Sequence, residues 1–344
     1  MKLSVRRDAL KLKSPLQSAH GTVTERVILG VSIAHAGGDE GYGEAAPLEQ
    51  YDGVSLWLVE EALQAYGPVL AGADDMNGAR IVDACRAVAD VPAALAAIDL
   101  ALWDRAGRRA GKPVAALITD RPVPEVAVNA TLSAVDRAGA AEQAAAAARA
   151  GFACVKIKVG VGDDAGRVAA VRAAAGPEVA LRLDANGAWN VDEAVAAIDA
   201  LSPAGLELVE EPTHGLKAVR EVRERVAVRV AIDETAAEHG ALGAGVADAV
   251  CLKISRCGGI SALLVAATLV RASGAEVYLA STLDGPLGVA AAVHVAAALA
   301  SRGPLAPCGL ATLGMFEDLD DPLPARQGSV ALPTGAGLGV NPLS

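Results

Sequence analysis

Five charged residues recur at near-even intervals, each closing a short apolar run. They are Lys158 after Val155-Lys156-Ile157, Asp184 after Leu181-Arg182-Leu183, Glu210 after Leu208-Val209, Asp233 after Val230-Ala231-Ile232, and Lys253 after Val250-Cys251-Leu252. The intervals are 26, 26, 23 and 20 residues. Each interval is the length of one strand, one helix and two connections, which is the repeat of a (β/α) barrel. Residues closing successive strands of such a barrel share one mouth. Three carboxylates flanked by two lysines at that mouth predict a metal site between two proton-transfer groups.

The chain has 344 residues, and a barrel takes about 250, so room remains for a smaller domain. Residues 1–120 depart from the barrel rhythm. The alternation in Arg26-Val27-Ile28-Leu29-Gly30-Val31-Ser32-Ile33 predicts an antiparallel strand that turns at Gly37-Gly38-Asp39 into Gly41-Tyr42-Gly43-Glu44. Helical stretches follow over 54–65 and 91–110. Residues 1–120 are therefore expected to form an α+β capping domain, completed by the Pro- and Gly-rich tail 310–344, with the (β/α) barrel over 121–309. Predicted barrel strands are 126–130, 154–159, 180–184, 206–210, 228–232, 249–254, 276–280 and 305–308, with helices such as 140–150, 164–175, 191–200 and 260–273 between them. The last helix is expected to be irregular or replaced by the returning tail. A doubly wound sheet is disfavoured because no Gly-rich first crossover is present.

A net charge of -11 with scattered Lys and Arg excludes a phosphate-binding footprint, so nucleic acid is not an expected partner. No apolar run has the length of a signal peptide core or of a membrane span, the stretch 290–300 being too short. The five cysteines are odd in number and lack CxxC spacing, which disfavours a disulfide framework or a zinc site and favours the reducing cytoplasm. An apolar content of 53% permits self-association into a homo-oligomer.

Asp184, Glu210 and Asp233 are hard oxygen donors suited to Mg²⁺ or Mn²⁺, with remaining positions left to water and substrate. A single Asp at a strand end is as often a helix N-cap, but three in succession are not explained that way. Lys156 and Lys158 lie two apart on a strand, so both face the barrel interior, and two ammoniums so close are expected to lower each other's pKa. Lys253 enters from the sixth strand, opposite the second in an eight-membered ring. The two bases would face a bound substrate from opposite sides.

These segments carry a resemblance. The chain resembles the mandelate racemase/muconate-lactonising subgroup of the enolase superfamily over nearly its whole length, in Val155-Lys156-Ile157-Lys158, Asp184-Ala185-Asn186-Gly187-Ala188-Trp189, Val209-Glu210-Glu211-Pro212, Ile232-Asp233-Glu234-Thr235 and Lys253-Ile254-Ser255. The resemblance implies Mg²⁺ ligation by Asp184, Glu210 and Asp233, catalysis by Lys158 and Lys253 as acid and base, and Lys156 as their electrostatic neighbour. It implies that Asn186 and Glu234 orient these groups. Glu211 stands where Gln is common, adding a negative charge near the metal.

The shared step is removal of a proton α to a carboxylate through a metal-stabilised enolate. Members of the subgroup continue from it as o-succinylbenzoate synthases, N-acylamino acid racemases, dipeptide epimerases or cycloisomerases. Pro307-Cys308-Gly309-Leu310-Ala311-Thr312-Leu313 and Val128-Asn129-Ala130-Thr131 look like the actinobacterial type of o-succinylbenzoate synthase, which dehydrates a cyclohexadiene carboxylate in menaquinone synthesis. Dipeptide epimerases tend to carry an Asp-x-Asp motif where this chain has Cys308-Gly309-Leu310. Expected substrate contacts are Ser18, His20, Thr22 and Tyr51 from loops of the cap, with Asn129, Thr131, Ser281, Asp284, Cys308 and Gly309 from the barrel. Asp284 stands where relatives usually have Glu, and its alternative role is a cap on the helix that follows. The reading from a different class is a barrel that binds metal and ligand without catalysis.

Overall fold

In the computed structural model, which describes residues 1–35 and 37–343, the chain begins with an antiparallel sheet of β1 (Lys2–Ser18), β2 (Gly21–Ala34) and β3 (Glu40–Ala45). Helices α1 (Glu49–Asp52), α2 (Leu56–Ala71), α3 (Gly78–Val88), α4 (Pro92–Ala110) and α5 (Val114–Ile118) follow. Strand β3 lies directly on the backbone of α4. A Cβ on Gly41 would meet the Ala101 carbonyl at 2.1 Å, and one on Gly43 would meet that of Ala97 at 2.1 Å. Only glycines allow this approach, and it fixes the direction in which Glu44 leaves the sheet. One apolar cluster, including Leu29, Val31, Ile33, Leu63, Leu70 and Ile98, fills this part of the molecule.

The barrel strands are β5 (Ala130–Leu132), β6 (Cys154–Lys158), β7 (Ala180–Asp184), β8 (Leu206–Glu210), β9 (Arg229–Ile232), β10 (Ala249–Leu252) and β11 (Glu276–Leu279), all parallel and paired in sequence order. Helices α6 (Arg137–Arg149), α7 (Asp164–Ala175), α8 (Val191–Leu201), α9 (Leu216–Arg225), α10 (Ile254–Cys257), α11 (Ile260–Ala272) and α12 (Pro286–Ala300) accompany them. Between β9 and β10 only short 3₁₀ turns at Glu234–Ala237 and Ala241–Gly243 occur. The expected fold class is found, with three local corrections.

The predicted strand 126–130 divides. Strand β4 (Glu125–Ala127) pairs antiparallel with β12 (Ser329–Ala331) of the tail, and the barrel strand begins at Ala130. The predicted strand 305–308 is reduced to bridges, Val128 with Cys308 and Ala280 with Gly309, which join β11 back to the first strand. The predicted strand 249–254 ends at Leu252, because Ile254 already begins the turn of α10.

The tail touches the cap at two places. Phe316 bridges to Leu12, and Leu338 N–H donates to Asp104 Oδ1 at 2.7 Å. Ser344 lies outside the described residues. No helix among the described residues is long and apolar enough to cross a membrane.

Helix α12 is buried on every side from Pro286 to Leu299. Its His294 accepts from Ala115 N–H at 3.2 Å through Nδ1 and donates from Nε2 to the Leu338 carbonyl at 3.1 Å. Burial pushes this imidazole down to about 4. Below pH 6.5 the unfolded chain takes up a proton that the folded chain refuses, so stability is lost between pH 6.5 and 4, by up to about 3 kcal/mol. Thermal unfolding of His294→Gln across this range is expected to fall less steeply than that of the parent. An equally steep fall would sink the assignment.

Candidate active site

Strand ends and cap converge on a cleft lined at its floor by Lys156, Lys158, Asp184, Asn186 and Lys253. Parity along each strand decides what enters it. Lys158 Nζ donates to Asp184 Oδ2 at 2.7 Å and to Asn186 Oδ1 at 2.6 Å. Lys156 Nζ lies 2.7 Å from both Asp184 Oδ2 and Glu210 Oε2. Lys253 Nζ donates to Asp233 Oδ2 at 2.7 Å. The lysines therefore meet the carboxylates from two sides, β6 and β10 standing four positions apart around the ring.

The expectation that neighbouring ammoniums would lower each other's pKa is corrected for Lys156. Burial acts downward, but Asp184 and Glu210 outweigh it and hold Lys156 well above its usual range. Glu210 is pushed up to about 7 by burial, against the pull of Lys156. Asp184 lies at about 2, because Lys156 and Lys158 overcome the cost of burying it.

Asn186, at φ +46°, donates from Nδ2 to Glu234 Oε1 at 2.9 Å, and Glu234 Oε1 also bonds His20 Nε2 at 2.8 Å. A continuous hydrogen-bonded chain thus joins Lys158 to the tip of the cap hairpin. Tyr51 is central to the other side. Its hydroxyl accepts from Lys253 Nζ at 2.5 Å and from Arg256 Nη1 at 2.9 Å, and it donates to Asp233 Oδ2. The ring of Tyr51 also lies 4.0 Å beneath Lys253 Nζ.

Ser18, His20, Tyr51, Thr131, Ser281 and Gly309 line the cleft. Asn129, Asp284, Cys308 and Thr22 do not. Asn129 is one pleat deeper than Thr131, buried beneath the floor. Cys308 faces the opposite way from Gly309, its sulfur accepting from Leu279 N–H at 3.4 Å. Thr22 is exposed on β2, opposite Gln17, within a paired hairpin rather than a loop, and Val23 lines the cleft instead. Asp284 closes its own turn, accepting from Thr282 Oγ1 at 2.8 Å.

Asp284 does not cap α12 either. Glu44 does so from the cap, its Oε2 accepting from Leu287 N–H at 3.1 Å. Arg26 donates to the Thr282 carbonyl at 3.2 Å while holding those of Ala46 and Pro47. Two buried cap residues thereby hold the loop that presents Ser281, Thr282 and Leu283 to the cleft. Burial and Asp284 push Glu44 up to about 8. It is neutral in the fold at pH 7, and its contribution is lost as pH rises from 4.5 to 8. Glu44→Ala is expected to cost about 1–2 kcal/mol in thermal unfolding. Glu44→Gln is expected to remove that pH dependence at little cost, and a glutamine variant as unstable as the alanine one would refute this.

Glu211 adds no free charge at the cleft. Its carboxylate turns to Asp233 N–H at 2.7 Å, Thr235 N–H at 2.9 Å and His214 Nδ1 at 3.0 Å, so it clamps the loop carrying Asp233 and Glu234. Sequence reasoning missed Arg256, which reaches Asp233 Oδ1 at 3.2 Å and the Glu234 carbonyl at 2.7 Å. It also missed Tyr278, which donates to Glu210 Oε2 at 2.8 Å. Strand alternation, two residues before Ala280, was the available signal for Tyr278.

The donor set fits a divalent cation. Glu210 Oε1 is buried without a partner, and ligand atoms of Glu210, Asp233 and Cys251 lie within 4.8 Å of one another. Asp184 neighbours Glu210 in register. Lys156, Lys158, Lys253 and Arg256 balance Asp184, Glu210, Asp233 and Glu234 in formal charge, so a divalent cation leaves the site positive toward a substrate.

Residues 1–119 match the family described as mandelate racemase / muconate lactonizing enzyme, N-terminal domain, and residues 139–343 match the enolase C-terminal domain-like family. The chain is 33% identical over 304 residues to a hydrophobic dipeptide epimerase of Enterococcus faecalis, covering 86% of each. It is 32% identical to muconate cycloisomerase 1 of Rhodococcus opacus, over 96% of this chain and 92% of that one. Identity rises to 41% with an o-succinylbenzoate synthase of Thermobifida fusca, over 58% of this chain and 63% of that one. A solved structure of the Enterococcus faecalis V583 dipeptide epimerase, complexed with Mg and L-Leu-L-Tyr, matches with a TM-score of 0.89 at 30% identity, covering 98% of each chain.

Proposed function

The chain belongs to the mandelate racemase / muconate lactonizing enzyme family of the enolase superfamily, and on that premise we propose that it is a dehydratase forming o-succinylbenzoate from its cyclohexadiene carboxylate precursor. Lys158 takes the proton α to the carboxylate and returns it to the departing hydroxyl, which leaves as water. Lys253, held by Asp233 and Tyr51, keeps its charge against the opposite face of the substrate. Asp184, Glu210 and Asp233 would hold Mg²⁺, which when bound supplies positive charge against the substrate carboxylate as the α-proton leaves. Asn186 and Glu234 keep Lys158 aimed, and the cap hairpin bearing Ser18 and His20 excludes water from the cleft.

One observation carries the choice among family reactions. Beyond the strand ends the described lining, which includes Leu16, Val23, Leu48, Leu283, Thr312 and Met315, holds no carboxylate. A dipeptide ammonium entering there would lose hydration without an anionic partner, whereas a dicarboxylate suits the site's positive excess. The identity with the Thermobifida fusca synthase supports the same reading.

The second reading is an amino-acid racemase or epimerase, favoured by lysines on two sides of the cleft and by the relatives named epimerases. The deciding experiment follows ultraviolet absorbance on adding the protein with Mg²⁺ to the cyclohexadiene precursor, beside mass-shift measurements on N-succinylamino acids and dipeptides in D₂O. Rapid dehydration abolished by chelator is expected. No dehydration, with deuterium entering an amino-acid derivative, would replace the proposal by the second reading.

A further inference from the structure

Cys251 is a free, buried thiol on β10, two residues before Lys253 and therefore on the same inward face, roughly 6–7 Å deeper in the barrel. Burial, with Asp233 and Glu210 beside it, pushes its thiol well above the usual range. Ligand atoms of Cys251, Glu210 and Asp233 lie within 4.8 Å of one another. Glu210 Oε1 is buried and carries no hydrogen bond, so one donor of this trio is already free.

We propose that Cys251 adds a sulfur donor to the carboxylate centre and makes it a trap for thiophilic divalent ions such as Zn²⁺, Cd²⁺ and Co²⁺. The proposal rests on Glu210 and Asp233 as metal donors and not on the identity of the substrate. Mg²⁺ demands oxygen ligands and has no use for the thiol. Thiolate sulfur is preferred by softer ions, and a bond to it forms as the thiol proton passes to solvent. A tetrahedral ion with bonds of about 2.0–2.2 Å to oxygen and about 2.3 Å to sulfur holds its donors about 3.5 Å apart, so shifts of about 1 Å close the trio around it.

Asp184 is not part of this trio, because it is held by Lys156 and Lys158 at the cleft floor. An ion drawn toward Cys251 therefore sits below the oxygen site and away from the face that meets substrate. Thiophilic ions should for this reason bind tightly and inhibit.

The test titrates metal-free protein with Co²⁺ and reads absorbance. A near-ultraviolet sulfur-to-cobalt charge-transfer band is expected in the parent and should be lost in Cys251→Ala, although Cys85, Cys154, Cys257 and Cys308 remain. Zn²⁺ affinity, measured by competition with a chromophoric chelator, should fall at least about tenfold in the variant. Mg²⁺ affinity, read from thermal shift, should stay as in the parent. Cys251→Ser keeps an atom at the γ position but replaces the soft sulfur by a hard oxygen, and serves as the second variant where alanine unfolds the site. No band in the parent, a band that survives substitution, or Mg²⁺ affinity falling in step with that for Zn²⁺ would overturn the proposal. None of these readings involves substrate, so failure of the dehydratase assignment leaves them unaffected.

Discussion

Lys158→Ala is expected to lower both turnover and the exchange of the substrate α-proton with solvent by about 10²- to 10⁴-fold, the range a positioned proton-transfer group contributes. The structure predicts that this loss comes without unfolding. Lys158 bonds Asp184 and Asn186, yet Asp184 keeps Lys156 at 2.7 Å and Asn186 keeps Glu234 at 2.9 Å when it is gone. Thermal unfolding of the variant should therefore stay close to that of the parent. Exchange in D₂O followed by NMR, beside the absorbance assay, separates the steps. Near-normal exchange would remove Lys158 from the reaction under every reading of the family.

Lys156→Ala should behave differently. Its ammonium neutralises Glu210 and Asp184 together, so its loss leaves buried carboxylates facing one another. Such an uncompensated charge costs about 3–5 kcal/mol, and a large fall in stability is expected beside any fall in rate. On this proposal, two lysines separated by one residue would divide into a reacting group and a supporting one.

The strand ends were legible from sequence because barrel geometry imposes a repeat of fixed length and a side-chain period of two. Asp184, Glu210, Asp233 and the three lysines all fall where that rule puts them. The same period misled where local backbone breaks it. Cys308 belongs to a bridge rather than a full strand, and the parity of a single bridge cannot be read from its neighbours. Arg256 was hidden because the apolar run reading as strand through Ile254 ends two residues sooner, and the turn of α10 throws the guanidinium back over Asp233. The cap on α12 was out of reach of any local rule. Gly285 occupies the N-cap position without a side-chain acceptor, while the carboxyl that serves instead lies 243 residues before Leu287, whose N–H it accepts. Long-range contacts of this kind depend on how β3 packs against α4, which two small glycines permit but do not announce.

Asp233→Asn is expected to produce the largest combined loss, because Asp233 is the one carboxylate shared by Lys253, Arg256 and Tyr51. Lys253 and Arg256 overcome the cost of burying it and hold it well below the usual carboxylate range, so it is ionised throughout neutral pH. Neutralising it leaves Lys253 buried without its anion, a loss of about 3–5 kcal/mol, expressed as a lower unfolding temperature. Metal binding should weaken at the same time. In the parent, Mg²⁺ bound as proposed and present at about 100 times its dissociation constant would stabilise the fold by about 2.7 kcal/mol, and in Asp233→Asn that protection should disappear together with turnover. Thermal unfolding with and without Mg²⁺ measures both effects in one experiment. A variant that loses stability but keeps its full Mg²⁺ shift would leave Asp233 as the anchor of Lys253 and Arg256 and remove it from the metal centre. A variant that keeps its stability and loses only the shift would assign Asp233 to the metal centre alone, because the ion pairs would then contribute nothing to the fold.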